Sequence, residues 1–125
     1  MILDTNALSA FADNVPGAVK VVSTAGRLAV PIVVVGECRY GIAHSLRGRA
    51  YEEWLNPFLK TCEVLEISRA TIPSYVDVRS ELRRLGKPIP ANDAWIAALC
   101  LQHNLPLLSR DRHFDYVKGL RRVGW

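Results

Sequence analysis

The chain has 125 residues, half of them apolar, which is enough for a core without disulfides or structural metal, and no stretch is repetitive or low in complexity. Lys plus Arg number 16 against 12 Asp plus Glu, a formal charge of +4 that suits a polyanionic partner without singling one out. Cys38, Cys62 and Cys100 form no Cys-x-x-Cys pair, no basic leader opens the chain, and no apolar run reaches the ~20 residues of a membrane helix, so disulfide, zinc-cysteine, secreted and membrane classes are disfavoured. The expectation is one cytoplasmic domain over 1–125, with three small buried thiols.

In chain order, "MIL" reads as a short strand, and "TNALSAFAD" as a helix capped by Thr5 or Asn6 that ends near 14–16. "PGAVKVVSTAG" predicts a second helix, with Pro16 in its first turn and Gly26 at its end. "RLAVP" is a buried strand closed by Pro31. In "IVVVGECRYGIAHSL", Val34, Cys38, Ile42 and Leu46 recur every four residues, which predicts a strand-to-helix switch near Val33 and a helix through Ser45. "RAYEEWLNPFLKTC" continues as helix, "EVLEI" is an alternating strand, and "TIPSYVDVRSELRRLG" is an amphipathic helix stopped by Gly86. A strongly apolar helix runs from about Ala91 to Asn104. "LPLLS" is a buried strand, "RDRHFDYVKG" a loop or short helix, and "LRRVGW" a last strand. Strands alternating with helices predict an α/β fold around a parallel sheet, with its crevice at the carboxyl ends of the strands.

Four acids fall at that crevice. Asp4 ends the first strand, Asp111 follows "LPLLS", Glu37 lies on the helix after the second strand, and Asp93 lies in the first turn of the apolar helix. Each has an ordinary explanation alone: Asp4 a helix cap, Asp93 a helix-dipole partner, Glu37 a partner of Arg39 or Arg47, Asp111 a turn residue. Their joint placement is less ordinary. Glu52, Glu53, Asp77 and Glu81 read instead as solvated faces, and Glu63 and Glu66 as exposed strand ends. Gathered carboxylates repel and raise one another's pKa, and a hard divalent cation with oxygen ligands relieves this. Such a cation activates water and stabilises charge on a phosphodiester. No glycine-rich phosphate loop is present.

"LDTN" at 3–6, "VGECRYGI" at 35–42, "IPANDAWIAA" at 89–98 and "LLSRDRHF" at 107–114 together resemble a PIN domain, in particular the VapC-type toxins of type II toxin–antitoxin modules. The resemblance spans nearly the whole chain. It implies a three-layer α/β/α sandwich around a central parallel sheet of about four to five strands. It also implies a Mg²⁺-dependent endoribonuclease, with Mn²⁺ as a substitute, that forms a homodimer and is blocked by a VapB-like antitoxin; in-line attack by a metal-bound water with the 3′ oxygen leaving would give 5′-phosphate products. Carried over residue by residue, Asp4, Glu37, Asp93 and Asp111 match the metal-binding and catalytic acids, with Asp115 a distant substitute for the last. Thr5 then orients Asp4, Ser109 does the same at the last motif, Asn6 follows the first acid, and Asn92 holds the Asp93 turn. Only Met1, Ile2 and Leu3 precede Asp4, fewer than the family has, which suggests an early or late-assigned start.

Arg39, Arg47, Arg49, Arg110 and Arg112 are candidates to hold RNA phosphates. Tyr40 and Trp95 are expected in the core rather than stacked on bases, and His113 at the surface rather than as a base. Two rival readings are a phosphoaspartate protein of phosphatase or receiver type and an inactive PIN scaffold that only binds. The phosphatase pattern wants a second aspartate where Asn6 stands, and a receiver's acid pair and later lysine are missing.

Overall fold

The structure, a computed structural model, describes residues 1–125. The first strand is two residues long. Ile2–Leu3 (β1) is fully buried and is hydrogen-bonded on both edges, Ile2 opposite Ala29 on one side and Leu107 on the other. The other strands are Ala29–Pro31 (β2), Glu63–Leu65 (β3), Leu107–Leu108 (β4) and Arg122–Val123 (β5). All pair in parallel, in the order β3-β2-β1-β4-β5. The sheet therefore grows outward from β1 in one direction, then crosses back to β4 on the other side of β1. The switch point lies between β1 and β4, where open α/β sheets leave a crevice outside the strand ends.

Six helices cover the sheet: Thr5–Ala12 (α1), Pro16–Thr24 (α2), Ile32–Ala43 (α3), Gly48–Leu59 (α4), Ile72–Arg84 (α5) and Ala91–His103 (α6). Right-handed crossovers put α1 to α4 on one face and α5 and α6 on the other. The packing follows this division: α1 meets α2, α3 and α4, and α5 packs along α6. The resulting α/β sandwich on a five-stranded parallel sheet has the predicted architecture. One core cluster joins Ile2, Leu3, Leu107, Leu108, Val30, Leu99 and Phe114 across the sheet.

Local chemistry explains most element ends. Pro16 stands at the start of α2. Gly86 and Asn104 take left-handed conformations, φ 68° and 51°, after α5 and α6, and supply the expected stops. Pro31 ends β2 and the helix begins at Ile32, one residue ahead of the predicted switch. The same helix stops at Ala43, short of Ser45. There His44 caps it, and the Ser45 hydroxyl accepts from the Arg47 N–H, turning the chain into α4. Leu46 consequently sits fully exposed in that turn and is not on the helix face its spacing suggested. The "RDRHFDYVKG" segment, a loop or short helix by its sequence, contains a 3₁₀ turn over Arg112–Tyr116. Cys38 and Cys100 are buried free thiols as expected, whereas Cys62 is only partly covered at the end of α4.

Candidate metal centre

The site begins where β1 runs out. Asp4 leaves the strand in an extended conformation and caps α1, accepting the Ala7 N–H at 2.8 Å. It is 3 % exposed, one of very few buried polar residues in the chain. Burial raises its pKa to about 6, against the pull of the Ser109 hydroxyl and the Ala7 N–H, and the charges of Asp111 and Asp93 push it the same way. The cap explanation and the site explanation are thus both true of one side chain.

On the neighbouring strand, fully buried Ser109 closes β4. Its Oγ accepts the Asp111 N–H at 3.0 Å, and its hydroxyl faces Asp4. One serine therefore ties the last acid to the first. From the opposite helical layer, Asp93 enters in the first turn of α6. Its pKa is raised, mainly by burial, with His113 opposing and Asp111 and Glu37 adding to the rise. Glu37, midway along α3, is gripped from two sides: its Oε2 accepts the Thr5 hydroxyl and its Oε1 accepts Asn92 Nδ2 at 2.8 Å. This is where α3 meets α6 across the crevice.

The four acids come from four segments: Asp111 and Asp93 are close enough to act on the charge of Asp4, and Glu37 on that of Asp93, while the set of ligand atoms within 4.8 Å joins Asp93 and Asp111 with His113. Their neighbours differ from expectation at several positions. Thr5 serves Glu37, not Asp4, because Asp4 turns inward to its cap while Thr5 starts the helix facing α3. Asn92 also reaches Glu37 rather than bracing its own turn. Asn6 is exposed and makes no side-chain hydrogen bond. Asp115 is no substitute for Asp111, since Arg122 holds both its oxygens, at 2.7 and 2.9 Å.

His113 is the residue that sequence reasoning undervalued. Its Nε2 is shut off from solvent, lacks an aligned hydrogen-bond partner, and lies 3.1 Å from Asp93 Oδ2. One ligand atom each from Asp93, Asp111 and His113 lies within 4.8 Å of the others, a span that a single cation can fill. The signal was its position two residues after Asp111, at the start of a 3₁₀ turn that swings it back to the crevice.

The basic and aromatic candidates divide. Arg39 is engaged with Glu52 and Asn56 on α4, and Arg49 lies 3.4 Å from Glu53. Arg47 lines a cleft of about 250 Å³ that Thr5, Ser9, Glu37 and Tyr51 share, so of the four acids it borders Glu37. Arg110 lies over the Trp125 ring, 5.0 Å from its centroid, and Arg112 is exposed. Trp95 is only partly buried and stacks on Tyr75 at 3.6 Å, outside the core cluster where it was expected. Tyr40 is not in the core: it is 70 % exposed and rests against His44, because it faces outward on α3.

Residues 1–120 match the PIN domain family. The chain belongs to that family. Among its relatives, Ribonuclease VapC2 of Rickettsia felis is 25 % identical, aligning over 99 % of this chain and 96 % of the relative. The tRNA(fMet)-specific endonuclease VapC of Shigella flexneri is 27 % identical over the same shares. The fold of this PIN domain is also that of solved toxin–antitoxin structures. VapBC2 from Rickettsia felis, bound to a promoter DNA fragment, superposes with a TM-score of 0.87 at 23 % identity over 99 % of this chain and 97 % of that one. VapBC-1 from Haemophilus influenzae does so with a TM-score of 0.87 at 24 % identity, over 99 % and 96 %. No helix of this PIN domain is long and apolar enough to cross a membrane.

Proposed function

We propose that this PIN domain, as one unit over 1–125, is the endoribonuclease toxin of a VapBC-type module, working in the cytoplasm as a homodimer and silenced by a VapB-like antitoxin. The observation that carries the reading is the convergence of Asp4, Asp93 and Asp111 at the β1/β4 switch point, with Asp4 buried there and its pKa raised chiefly by that burial. A bound cation would relieve the cost of a carboxylate buried there. The oxygen-rich donor set suits Mg²⁺, with Mn²⁺ as the substitute.

Asp4, Asp93 and Asp111 would hold the cation, and Glu37 would join them directly or through water. When bound, such a cation lowers the pKa of a water and stabilises charge on a phosphodiester. The protein's own part is positional. The Ala7 cap and Ser109 hold Asp4, Ser109 holds the Asp111 backbone, and Thr5 and Asn92 hold Glu37. Arg47, at the rim of the cleft beside Glu37, is the arginine best set to take an RNA phosphate, with Arg110 and Arg112 on the flank. Arg39 would reach RNA only by leaving Glu52 and Asn56.

End-mapping of total RNA from cells expressing the protein tests the reading. Induction of the parent should arrest growth and yield new 5′-phosphate ends at few sites. Asp4→Asn should do neither. Equal growth and identical RNA ends for the two proteins would overturn the proposal.

A further inference from the structure

We infer that His113 supplies a nitrogen ligand to the bound cation through Nε2, tilting the site from Mg²⁺ toward Mn²⁺. The inference rests on the metal-dependent reading above and adds to it a residue that the acid pattern does not contain. Four observations carry it.

First, although the His113 side chain is 32 % exposed, its Nε2 atom is shut off from solvent and makes no well-aligned hydrogen bond, one of two such side-chain atoms in the chain. A buried polar atom left without a well-aligned partner is costly, so it calls for one. Second, a carboxylate oxygen of Asp93 lies 3.1 Å away. That separation is close to the edge of an octahedron with bonds of roughly 2.1 Å, the spacing of two adjacent ligands on one ion. Third, Asp111 completes a three-atom set within 4.8 Å. Fourth, the ring is held in place: it packs edge-on against Phe114, 4.6 Å between centroids, and Phe114 is fully buried. An imidazole fixed in this way loses little freedom on binding an ion.

Donor type then sets preference. Carboxylate and water suit Mg²⁺ and Mn²⁺ alike, whereas imidazole favours first-row transition metals over Mg²⁺. A site of acids plus one histidine therefore discriminates where an all-oxygen site would not. The remaining histidines lie elsewhere: His44 stacks on Tyr40 after α3, and His103 sits in the last turn of α6, at the far end from Asp93.

Pulsed EPR on the Mn²⁺-loaded full chain tests this without any activity measurement. The parent should show ¹⁴N modulation from a coordinated imidazole, and selective ¹⁵N-histidine labelling of the unaltered sequence should convert it to ¹⁵N. His113→Gln should abolish the signal and weaken Mn²⁺ binding about tenfold or more, with a smaller loss for Mg²⁺. His103→Gln should leave both unchanged. Tightly bound Mn²⁺ with no histidine nitrogen coupling in the parent would overturn the inference while the acid site stands, His113 then being only a neighbour of Asp93. Failure of the parent to bind Mn²⁺ at all would overturn the metal reading and this inference with it.

Discussion

Replacing Asp4 with Asn should make the metal-free protein more stable at neutral pH. In the fold the Asp4 carboxyl titrates at about 6, against 3.8 ordinarily, chiefly because burial opposes its charge. The folded state thus holds this proton more tightly than the unfolded chain does. Its stabilising contribution is complete below about pH 4 and is lost as the pH rises through about 6. The gap between 3.8 and about 6, at roughly 1.4 kcal/mol per pH unit, comes to about 3 kcal/mol at pH 7. Asn is neutral, keeps the shape, and can still accept the Ala7 N–H, so it escapes that loss. Urea unfolding in a chelator, from pH 4.5 to 8, should find the two proteins close at the acid end. They should diverge to about 3 kcal/mol in favour of Asp4→Asn by pH 7.5, or some 10 °C in melting temperature for a chain of this size. Adding Mn²⁺ should stabilise the parent and not the variant. A difference that does not change with pH, or a variant less stable than the parent at pH 7.5, would refute the reasoning.

Thr5→Val and Asn92→Ala should each free one side of Glu37 and lower divalent-metal affinity or cleavage about 10–100-fold with little loss of stability, readable by calorimetric titration beside thermal melts. Gly48→Ala should destabilise the protein by about 1–3 kcal/mol, since a Cβ there would lie 2.2 Å from the Ile42 carbonyl oxygen and force α3 and α4 apart. Denaturant melts check it, and distortion of the adjoining cleft should also weaken RNA cleavage. Leu108→Ala, which empties a fully buried position in β4, should cost about 2–5 kcal/mol by the same assay.

Much of this molecule was legible in its sequence because the relevant physics is local or topological. Apolar triplets ending in Pro or polar residues marked the buried strands, Gly86 and Asn104 marked helix stops, and the βα alternation dictated a parallel sheet. That alone was enough to aim Asp4, Glu37, Asp93 and Asp111 at one crevice. What was not legible depends on side-chain direction across separate segments. Proximity in sequence pairs Thr5 with Asp4 and Asn92 with Asp93. Both instead reach Glu37, which is distant in sequence and adjacent only once α3, α1 and α6 have packed. His113 was hidden for a related reason. A 3₁₀ turn advances each residue further round the axis than an α-helix does, so no helical spacing foretold that it would face Asp93. Asp115 was offered as a spare acid because its partner, Arg122, comes from the last strand.

The most direct test of the central claim is cleavage of a defined RNA by the purified protein, measured with Mg²⁺ or Mn²⁺ and again in excess chelator. Metal-dependent cuts bearing 5′ phosphates are expected, abolished by chelator and restored by added metal. Asp93→Asn, folded by circular dichroism, should be inactive under all these conditions. Cleavage that persists in chelator, or at the parent's rate in Asp93→Asn, would contradict the account.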